Sequence, residues 1–319
     1  MSKHALTPVT LDELEAIHSL TRRWETFWDA PMATTIDDLR SDLTAPFFNL
    51  EHDARGVWID GQLVAHGRVW FRPSDEREER AFLIGLVDPE HRRQGLGTML
   101  MEWLVEQGTN RLREAEDAIP RYLRVSEWDW IEEAFRLYRR FGFDPVRYFT
   151  EMERDLAAPI PEVGADGVDI VPWSDDLSEG ARLAQNAAFA DHWGSPPTNR
   201  EGWEHRLQRP GTRLDLSYLA VVDQRVVGLA TNGHYPEDTA VTGHREGWIE
   251  SLGVEREWRG RKVASALIVA SFRAFVASGF TRAKLGVDTA NPTGALALYD
   301  GLGFAPTHRS VVVERRVDG

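Results

Sequence analysis

The chain has 319 residues, of which 42% are hydrophobic, and this length accommodates two domains that each have their own core. Its formal net charge of −14 argues against nucleic acid as a partner, because affinity for a polyanion comes mostly from phosphates that basic side chains neutralise. The same charge favours a cationic or amine-bearing substrate through long-range attraction. The absence of cysteine excludes disulfides, thiolate metal ligands and a cysteine nucleophile.

The sequence contains no recognisable targeting or membrane segment. No apolar run reaches the roughly 20 residues of a membrane helix. Residues 1–8 lack the apolar centre of a signal peptide. The histidines show no metal-ligand spacing, so we expect no metal site. We expect a cytoplasmic protein that is not attached to a membrane.

In chain order, the first half alternates helical and strand patterns. Apolar residues at helical spacing predict a helix over 11–23, and residues 57–60 with 63–70 predict a hairpin. The charged tract 74–80 is typical of a solvated loop. An apolar run then predicts a buried strand over 81–86. A helix that opens near Met99, a strand over 121–126 and a helix through 134–138, which Gly142 stops, complete this half.

The second half repeats this order. A Pro/Gly/Ala-rich stretch without periodicity predicts a linker over 158–166, between an N-terminal domain of residues 1–157 and a C-terminal domain of residues 167–319. Further strands are expected at 168–171, 218–222, 226–230 and 247–254, with a helical region that leads to Ala188. Two sets of residues recur at constant distances along the sequence. Val254 and Arg259 lie 167 positions after Val87 and Arg92. Tyr299 and Gly303-Phe304 lie 161 positions after Tyr138 and Gly142-Phe143. Such offsets indicate an internal duplication.

The turn between strand and helix in the first half has the composition of an anion-binding site. The first N–H groups of a helix have no internal partner and carry the positive end of its dipole. Glycine allows positive φ, so several amides can approach one phosphate. We expect a diphosphate as the guest of this turn, formed by Val87, Arg92, Arg93, Gln94, Gly95, Leu96, Gly97 and Thr98.

Each half resembles the GNAT acyltransferase superfamily. The first half carries Arg92-Arg93-Gln94-Gly95-Leu96-Gly97 in the family's R/Q-x-x-G-x-G/A position, followed by Leu137-Tyr138 and Gly142-Phe143. The second carries residues 291–299, which end in Leu298-Tyr299, and Gly303-Phe304. The resemblance covers nearly the whole chain, and the double layout is similar to that of mycothiol-synthase-like tandem acetyltransferases. It implies an α/β (α+β) fold of two tandem GNAT domains, each a mixed, mostly antiparallel twisted sheet flanked by helices.

The resemblance also implies an activity and its residues. We expect an N-acetyltransferase that moves an acetyl group from acetyl-CoA, the acyl donor, to a primary amine of a small-molecule acceptor. Without cysteine, direct attack in a ternary complex is the simpler route. Tyr299 would be the general acid, since a tyrosine of ordinary pKa, about 10, is protonated at pH 7. Glu250 would be the base, and a backbone N–H near Leu252 would polarise the thioester.

The two halves differ in their candidate catalytic and cofactor-binding residues. Leu83 stands where the second half has Glu250, so the first half lacks that base. The second loop carries Lys262 where the family has glycine, which strains the backbone if positive φ is required but adds a cation. We therefore expect catalysis in the C-terminal domain and a structural or CoA-binding N-terminal domain. In the second half the expected cofactor residues are Leu252, Val254, Arg259, Gly260, Arg261, Lys262, Val263, Ala264 and Asn291.

Other hypotheses stay open at this stage. Asn291 is as well suited to capping the helix that follows it as to contacting CoA. The altered second loop and the first half without a base fit a non-catalytic acyl-CoA-binding or sensing protein. Tyr138 with a water chain fits catalysis in the N-terminal domain. The sequence is compatible with a monomer or a homodimer, with one or two bound CoA molecules, and with several acyl chains and amines.

Overall fold

The computed structural model describes residues 4–46, 48–72, 78–114, 119–190, 192–193, 197–290 and 294–317. The chain forms two compact units. The first comprises residues 1–148 together with 310–319, and the second comprises residues 149–309.

The helices and strands are numbered separately, each in chain order. The helices are α1 Leu14–Phe27, α2 Ile36–Leu43, α3 Leu50–Asp53, α4 Leu96–Arg113, α5 Glu132–Arg140, α6 Ser178–Ala188, α7 Arg200–Leu207, α8 Asp238–Thr242, α9 Val263–Ala277 and α10 Ala295–Gly301. The strands are β1 Thr7–Pro8, β2 Ala54–Ile59, β3 Gln62–Arg72, β4 Glu79–Val87, β5 Arg121–Trp128, β6 Asp144–Asp155, β7 Asp169–Pro172, β8 Tyr218–Val222, β9 Arg225–Gly233, β10 Glu246–Val254, β11 Arg282–Asp288 and β12 Ala305–Val317.

The first unit contains a sheet in the order β1-β2-β3-β4-β5, and β5 pairs antiparallel with residues 310–317 of β12. Only β4 and β5 run parallel among its described strand pairs. The buried core lies between this sheet and the apolar face of α4, where Leu100 and Leu104 are about 2–3% exposed. The mixed, mostly antiparallel sheet predicted from the resemblance is confirmed for this unit.

The second unit repeats this arrangement. Residues 149–155 of β6 pair antiparallel with β11, and the sheet continues in the order β11-β10-β9-β8-β7. Again a single described pair, β10 with β11, is parallel. Helix α9 covers the sheet with Leu267, Ile268 and Phe272, which are fully buried. The predicted fold class is confirmed here as well.

The units differ from the contiguous domains that the sequence predicts. β6 begins in the first unit and ends in the second, whereas β12 begins in the second unit and ends in the first. Composition indicates where a chain lacks regular structure, but it does not encode which distant strand will supply backbone hydrogen bonds. The predicted linker follows β6. The buried guanidinium of Arg154 holds the start of this linker by donating to the carbonyl oxygens of Ala158 and Pro159, and it also donates to the carbonyl oxygen of Leu302, after α10.

One sequence prediction in the first unit is wrong in part. Glu79 and Arg80, expected in a solvated loop, begin β4 and are each 4% exposed. The buried charge of Arg80 is compensated by Glu78, whose carboxylate lies 3.2 Å from the Arg80 guanidinium. The remaining positions of that charged tract, 74–77, lie outside the described residues.

The repeat is visible in the backbone. Gly142 and Gly303 follow α5 and α10 with φ of 78° and 85°, a left-handed conformation that favours glycine after a helix. Phe143 and Phe304 come next and are buried. Their rings lie 6.5 Å and 5.9 Å from those of Tyr138 and Tyr299. The duplication therefore fixes the position of each tyrosine against its own core.

Candidate functional site

In each unit the two strands of the described parallel pair separate part of the way along their length. The β4–β5 pairing covers residues 79–82 and 121–124, and the β10–β11 pairing covers residues 246–249 and 282–285. β4 and β10 then continue to Val87 and Val254 against their antiparallel neighbours, β3 and β9. A strand pair that opens in this way leaves a wedge in which backbone groups can bind an extended ligand.

The loops after β4 and β10 share one backbone conformation. Arg93 and Gly95 have φ of 62° and 86° in the first loop. Gly260 and Lys262, 167 positions later, have φ of 76° and 61° in the second. Each loop therefore needs two left-handed residues, and each uses one glycine and one basic residue to supply them. Lys262 adopts the conformation that costs a non-glycine residue about 1 kcal/mol or more.

The helices that follow these loops begin without a partner for their first amides. Neither α4 nor α9 has a side-chain cap at its first turn, and neither has an acidic residue there. Uncapped N–H groups and the positive end of the helix dipole favour an anion at both positions.

The charges around the two loops differ. In the first loop Glu133 accepts two hydrogen bonds from Arg92, at 2.7 and 2.6 Å, and one from Arg93 at 3.0 Å. The Arg92 guanidinium holds the pKa of the Glu133 carboxyl below its usual value, so this residue is an anion at neutral pH. The arginines of the first loop are therefore already compensated.

In the second loop the equivalent arginine binds neutral groups. Arg259 donates to the carbonyl oxygens of Val254, at 3.2 Å, and Ala188, at 2.8 Å. Arg261 stacks over the Trp258 ring at 4.7 Å. Within the described ranges no carboxylate forms an ion pair with Arg259, Arg261 or Lys262, so the loop keeps its positive charge. This loop is the better electrostatic match to a diphosphate.

The first unit nevertheless contains a cavity of about 440 Å³ in its wedge. Its walls come from the first loop, α4, α5 and the open ends of β4 and β5, and Glu127 and Tyr138 both line it. The Tyr138 hydroxyl donates to Glu127 Oε2 at 3.2 Å, and the Trp128 amide donates to Glu127 Oε1 at 3.0 Å. Burial raises the pKa of Glu127 to about 7, despite these two hydrogen bonds.

The same pair constrains Tyr138. Burial, with the negative charge of Glu127, raises the pKa of Tyr138 well above its usual value. Its hydroxyl proton is already directed at Glu127. The first unit thus has a cleft, a tyrosine and a titratable carboxyl, but its tyrosine has an internal acceptor.

Tyr299 occupies the equivalent position in the second unit. It lies on α10 and is 8% exposed, and burial raises its pKa to about 12. It is therefore protonated at neutral pH and can donate a proton. Leu252 packs both against the cluster that contains Tyr299 and against the cluster that contains Val254 and Val263. Leu252 thus joins the core around Tyr299 to the core around Val254 and the start of α9.

Glu250 stands in a β-bulge on β10. The pairing of β9 with β10 shifts register between Ile249 and Ser251, which leaves Glu250 as the extra residue. Its Oε1 accepts a hydrogen bond of 3.0 Å from the Tyr235 hydroxyl. Although solvent reaches its side chain, desolvation by the surrounding protein raises the pKa of Glu250, against the lowering effects of Tyr235, Arg209 and Arg206.

The first unit has no such bulge at the equivalent place. β3 and β4 pair in continuous register from Arg72 with Arg80 to Ala65 with Val87. Leu83, which occupies the position of Glu250, is 2% exposed and belongs to the core. Of the other predicted site residues, Asn291 lies outside the described residues, and Ala264 lies in the first turn of α9.

Sequence reasoning missed Tyr235, Glu127 and Glu133. The repeat offers a signal for Glu127, since Asp288 lies 161 positions later, at the same offset that relates Tyr138 to Tyr299. Nothing in the sequence marks Tyr235, which lies in a connection between β9 and α8. Glu133 is indistinguishable in sequence from its neighbour Glu132, on the same exposed helix start.

Two regions of the chain, residues 14–143 and 182–304, match the model of the Acetyltransferase (GNAT) family. This chain belongs to the GNAT family. It is 30% identical over 241 residues to a mycothiol acetyltransferase of Acidothermus cellulolyticus, covering 72% of this chain and 70% of that protein. It is 31% identical over 233 residues to a mycothiol acetyltransferase of Segniliparus rotundus, covering 72% and 83%.

Solved structures give the same result. A GCN5-related N-acetyltransferase from Sphaerobacter thermophilus superposes with a TM-score of 0.77 at 26% identity, over 99% of this chain and 96% of that one. A tandem GNAT protein from the clavulanic acid biosynthesis pathway superposes with a TM-score of 0.73 at 17% identity, over 99% of both chains, and this likeness concerns the fold alone. The chain is a tandem GNAT N-acetyltransferase of mycothiol-synthase-like layout, as predicted.

Among the described residues, no helix combines the length and the apolar character that a membrane span requires. The described residues also contain no group of three or more His, Cys, Asp or Glu side chains that could bind a metal ion.

Proposed function

We propose that the second unit transfers an acetyl group from acetyl-CoA to a primary amine of a small molecule, by direct attack in a ternary complex. The observation that carries this proposal is the bulge at Glu250, which directs a carboxylate away from the regular ladder beside the open end of the β10–β11 pair. The first unit has a buried leucine at that position.

The second loop fits the diphosphate of a CoA molecule. Its two left-handed residues and the uncapped start of α9 provide amides, while Arg259, Arg261 and Lys262 provide positive charge that no carboxylate of the described part of the chain pairs with. Arg259 contributes through this charge and by tying the end of β10 to α6. When bound, acetyl-CoA supplies the thioester, and a backbone N–H near Leu252 donates to its carbonyl oxygen.

Glu250 and Tyr299 handle the protons in this proposal. Glu250 takes a proton from the acceptor ammonium, directly or through water, and its raised pKa brings its basicity closer to that task at neutral pH. The amine nitrogen then forms a bond to the acyl carbon as the carbon–sulfur bond breaks. Tyr299 donates its proton to the departing sulfur, and its burial keeps it protonated until then. The nitrogen of the new amide releases its second proton through water to the Tyr299 phenolate, which restores the tyrosine.

The relatives guide the choice of acceptor. The two relatives compared above carry the name mycothiol acetyltransferase, which supports a small-molecule amine. The acceptor of a mycothiol acetyltransferase is the first compound to test. The net charge of −14 is consistent with an amine and with the absence of a nucleic-acid partner. We propose a monomer or a homodimer.

A second hypothesis places catalysis in the first unit. The 440 Å³ cavity, lined by Tyr138 and by a Glu127 whose pKa is about 7, is the observation that favours it. A carboxyl that titrates near neutral pH is a competent acid or base. Against it stands the compensation of Arg92 and Arg93 by Glu133, which weakens diphosphate binding at that loop.

Two matched variants separate these hypotheses. We expect Tyr299→Phe to lower kcat for CoA release by about 100-fold, the usual contribution of a positioned acid, with acetyl-CoA binding retained. We expect Tyr138→Phe to stay within about threefold of wild type. The assay is CoA thiol release with acetyl-CoA and a panel of amines. The reverse pattern, in folded variants, would place catalysis in the first unit.

A further inference from the structure

We infer that Tyr235 is a positioning residue for Glu250, and that Gly233 and Gly211 provide the space in which this pair is held. This inference rests on the proposed role of Glu250 as the base. It concerns the orientation and ionisation of that carboxylate, which neither the family match nor the relatives' names address.

The hydrogen bond compensates for what the bulge removes. A bulged residue lies outside the regular ladder, so the strand alone does not fix the direction of its side chain. The Tyr235 hydroxyl fixes Oε1 of Glu250 at 3.0 Å. In the proposed mechanism this leaves Oε2 to take the proton from the acceptor ammonium.

Tyr235 is itself held by the backbone beside it. A short antiparallel bridge joins Thr212 to Gly233. The His234 amide donates to the Gly211 carbonyl at 2.8 Å, and the Arg213 amide donates to the Asn232 carbonyl at 2.8 Å. These hydrogen bonds fix the backbone position of Tyr235, the residue after His234, next to the bulge at Glu250.

The two glycines explain how the pair can approach so closely. A Cβ on Gly233 would lie 2.8 Å from Glu250 Oε1 and 3.1 Å from its Cγ. A Cβ on Gly211 would lie 2.5 Å from a ring carbon of Tyr235 and 2.9 Å from the backbone oxygen of His234. A side chain at either position would displace one partner of the hydrogen bond.

The electrostatics give the pair a measurable consequence. Desolvation raises the pKa of Glu250. The hydrogen bond from Tyr235 lowers it, and so do the positive charges of Arg209, which follows α7, and Arg206, which lies in the last turn of α7. A phenylalanine at 235 removes the hydrogen bond that favours the ionised carboxylate. The pKa of Glu250 must then rise further, and the base is protonated over more of the working pH range.

The experiment compares the pH dependence of kcat/KM in wild type, Tyr235→Phe, Gly233→Ala and Glu250→Gln, with the Glu250 carboxyl followed by ¹³C NMR. We expect the acidic limb of Tyr235→Phe to move up by about one pH unit, with a roughly tenfold loss below it and recovery at high pH. The NMR pKa should move by the same amount. Gly233→Ala should lower kcat/KM without recovery at high pH, because the carboxylate is displaced. Tyr218→Phe, which removes a hydroxyl from β8 in the same unit, is the control and should match wild type.

The outcomes distinguish the inference from the function on which it rests. Full activity of Glu250→Gln overturns the role of Glu250 as base. A different outcome overturns only the positioning role of Tyr235. In it, Glu250→Gln loses most of its kcat/KM, but Tyr235→Phe shifts neither the acidic limb of the pH profile nor the pKa of the Glu250 carboxyl measured by NMR. A loss in Tyr235→Phe that is equal at all pH values also overturns it, since a purely structural role would have that signature.

Discussion

Replacing Glu127 by glutamine tests how strongly burial in the first unit opposes ionisation. Glutamine has nearly the same size but cannot ionise: its carbonyl oxygen can accept from the Trp128 amide, and its NH₂ group can donate to the Tyr138 hydroxyl oxygen. The substitution therefore removes the titration and leaves the packing of the cavity wall in place.

The magnitude follows from the pKa of Glu127, which folding raises from 4.5 to about 7. A difference of about 2.5 units corresponds to about 3 kcal/mol, an upper bound because the side chain borders a cavity that water can enter. Between these two values the native chain binds more protons than the unfolded chain. The stability that the protonated Glu127 side chain contributes to the folded state is thus fully present below pH 4.5 and is lost as the pH rises through 7.

The assay is urea unfolding at pH 5 and pH 8, with amide hydrogen exchange of β5 to report on the first unit. We expect Glu127→Gln to gain about 2–3 kcal/mol relative to wild type at pH 8 and less than about 1 kcal/mol at pH 5. Glu132→Gln is the matched control, since its side chain is 78% exposed. An equal effect of Glu127→Gln at both pH values would refute the assignment of a raised pKa to this residue.

Two further predictions concern the loops. We expect Glu133→Gln, which releases Arg92, to strengthen CoA binding at the first loop by about 3–10-fold, and we expect the control Glu132→Gln to leave that affinity unchanged. Isothermal titration calorimetry measures the affinity and the stoichiometry of CoA binding. An unchanged affinity in Glu133→Gln would mean that Glu133 does not compete with the ligand for Arg92. We expect Lys262→Gly to raise the unfolding free energy by about 1 kcal/mol, because glycine tolerates φ of 61°, yet to weaken CoA binding by about 3–10-fold through the lost cation. Denaturant unfolding and CoA titration measure the two effects, and a tighter complex would contradict the role of the Lys262 charge.

The sequence alone determined the repeat and the elements within it. Hydrophobic periodicity, glycine positions and the offsets of 167 and 161 are local or one-dimensional signals, so they survive without knowledge of contacts. They located both loops, both tyrosines and the family. They also identified Lys262 as the residue that is strained if the second loop requires positive φ there, and φ of Lys262 is 61°.

The tertiary structure decided what each copy of the repeat can do. The ion pair that neutralises Arg92 joins residues 41 positions apart, and the hydrogen bond to Glu250 comes from a connection 15 positions away. The bulge that frees Glu250 depends on how β9 pairs with β10, and the exchange of β6 and β12 depends on which strand edges meet. Charge compensation, desolvation and strand register are properties of neighbours in space. A sequence that repeats its pattern therefore does not have to repeat its chemistry.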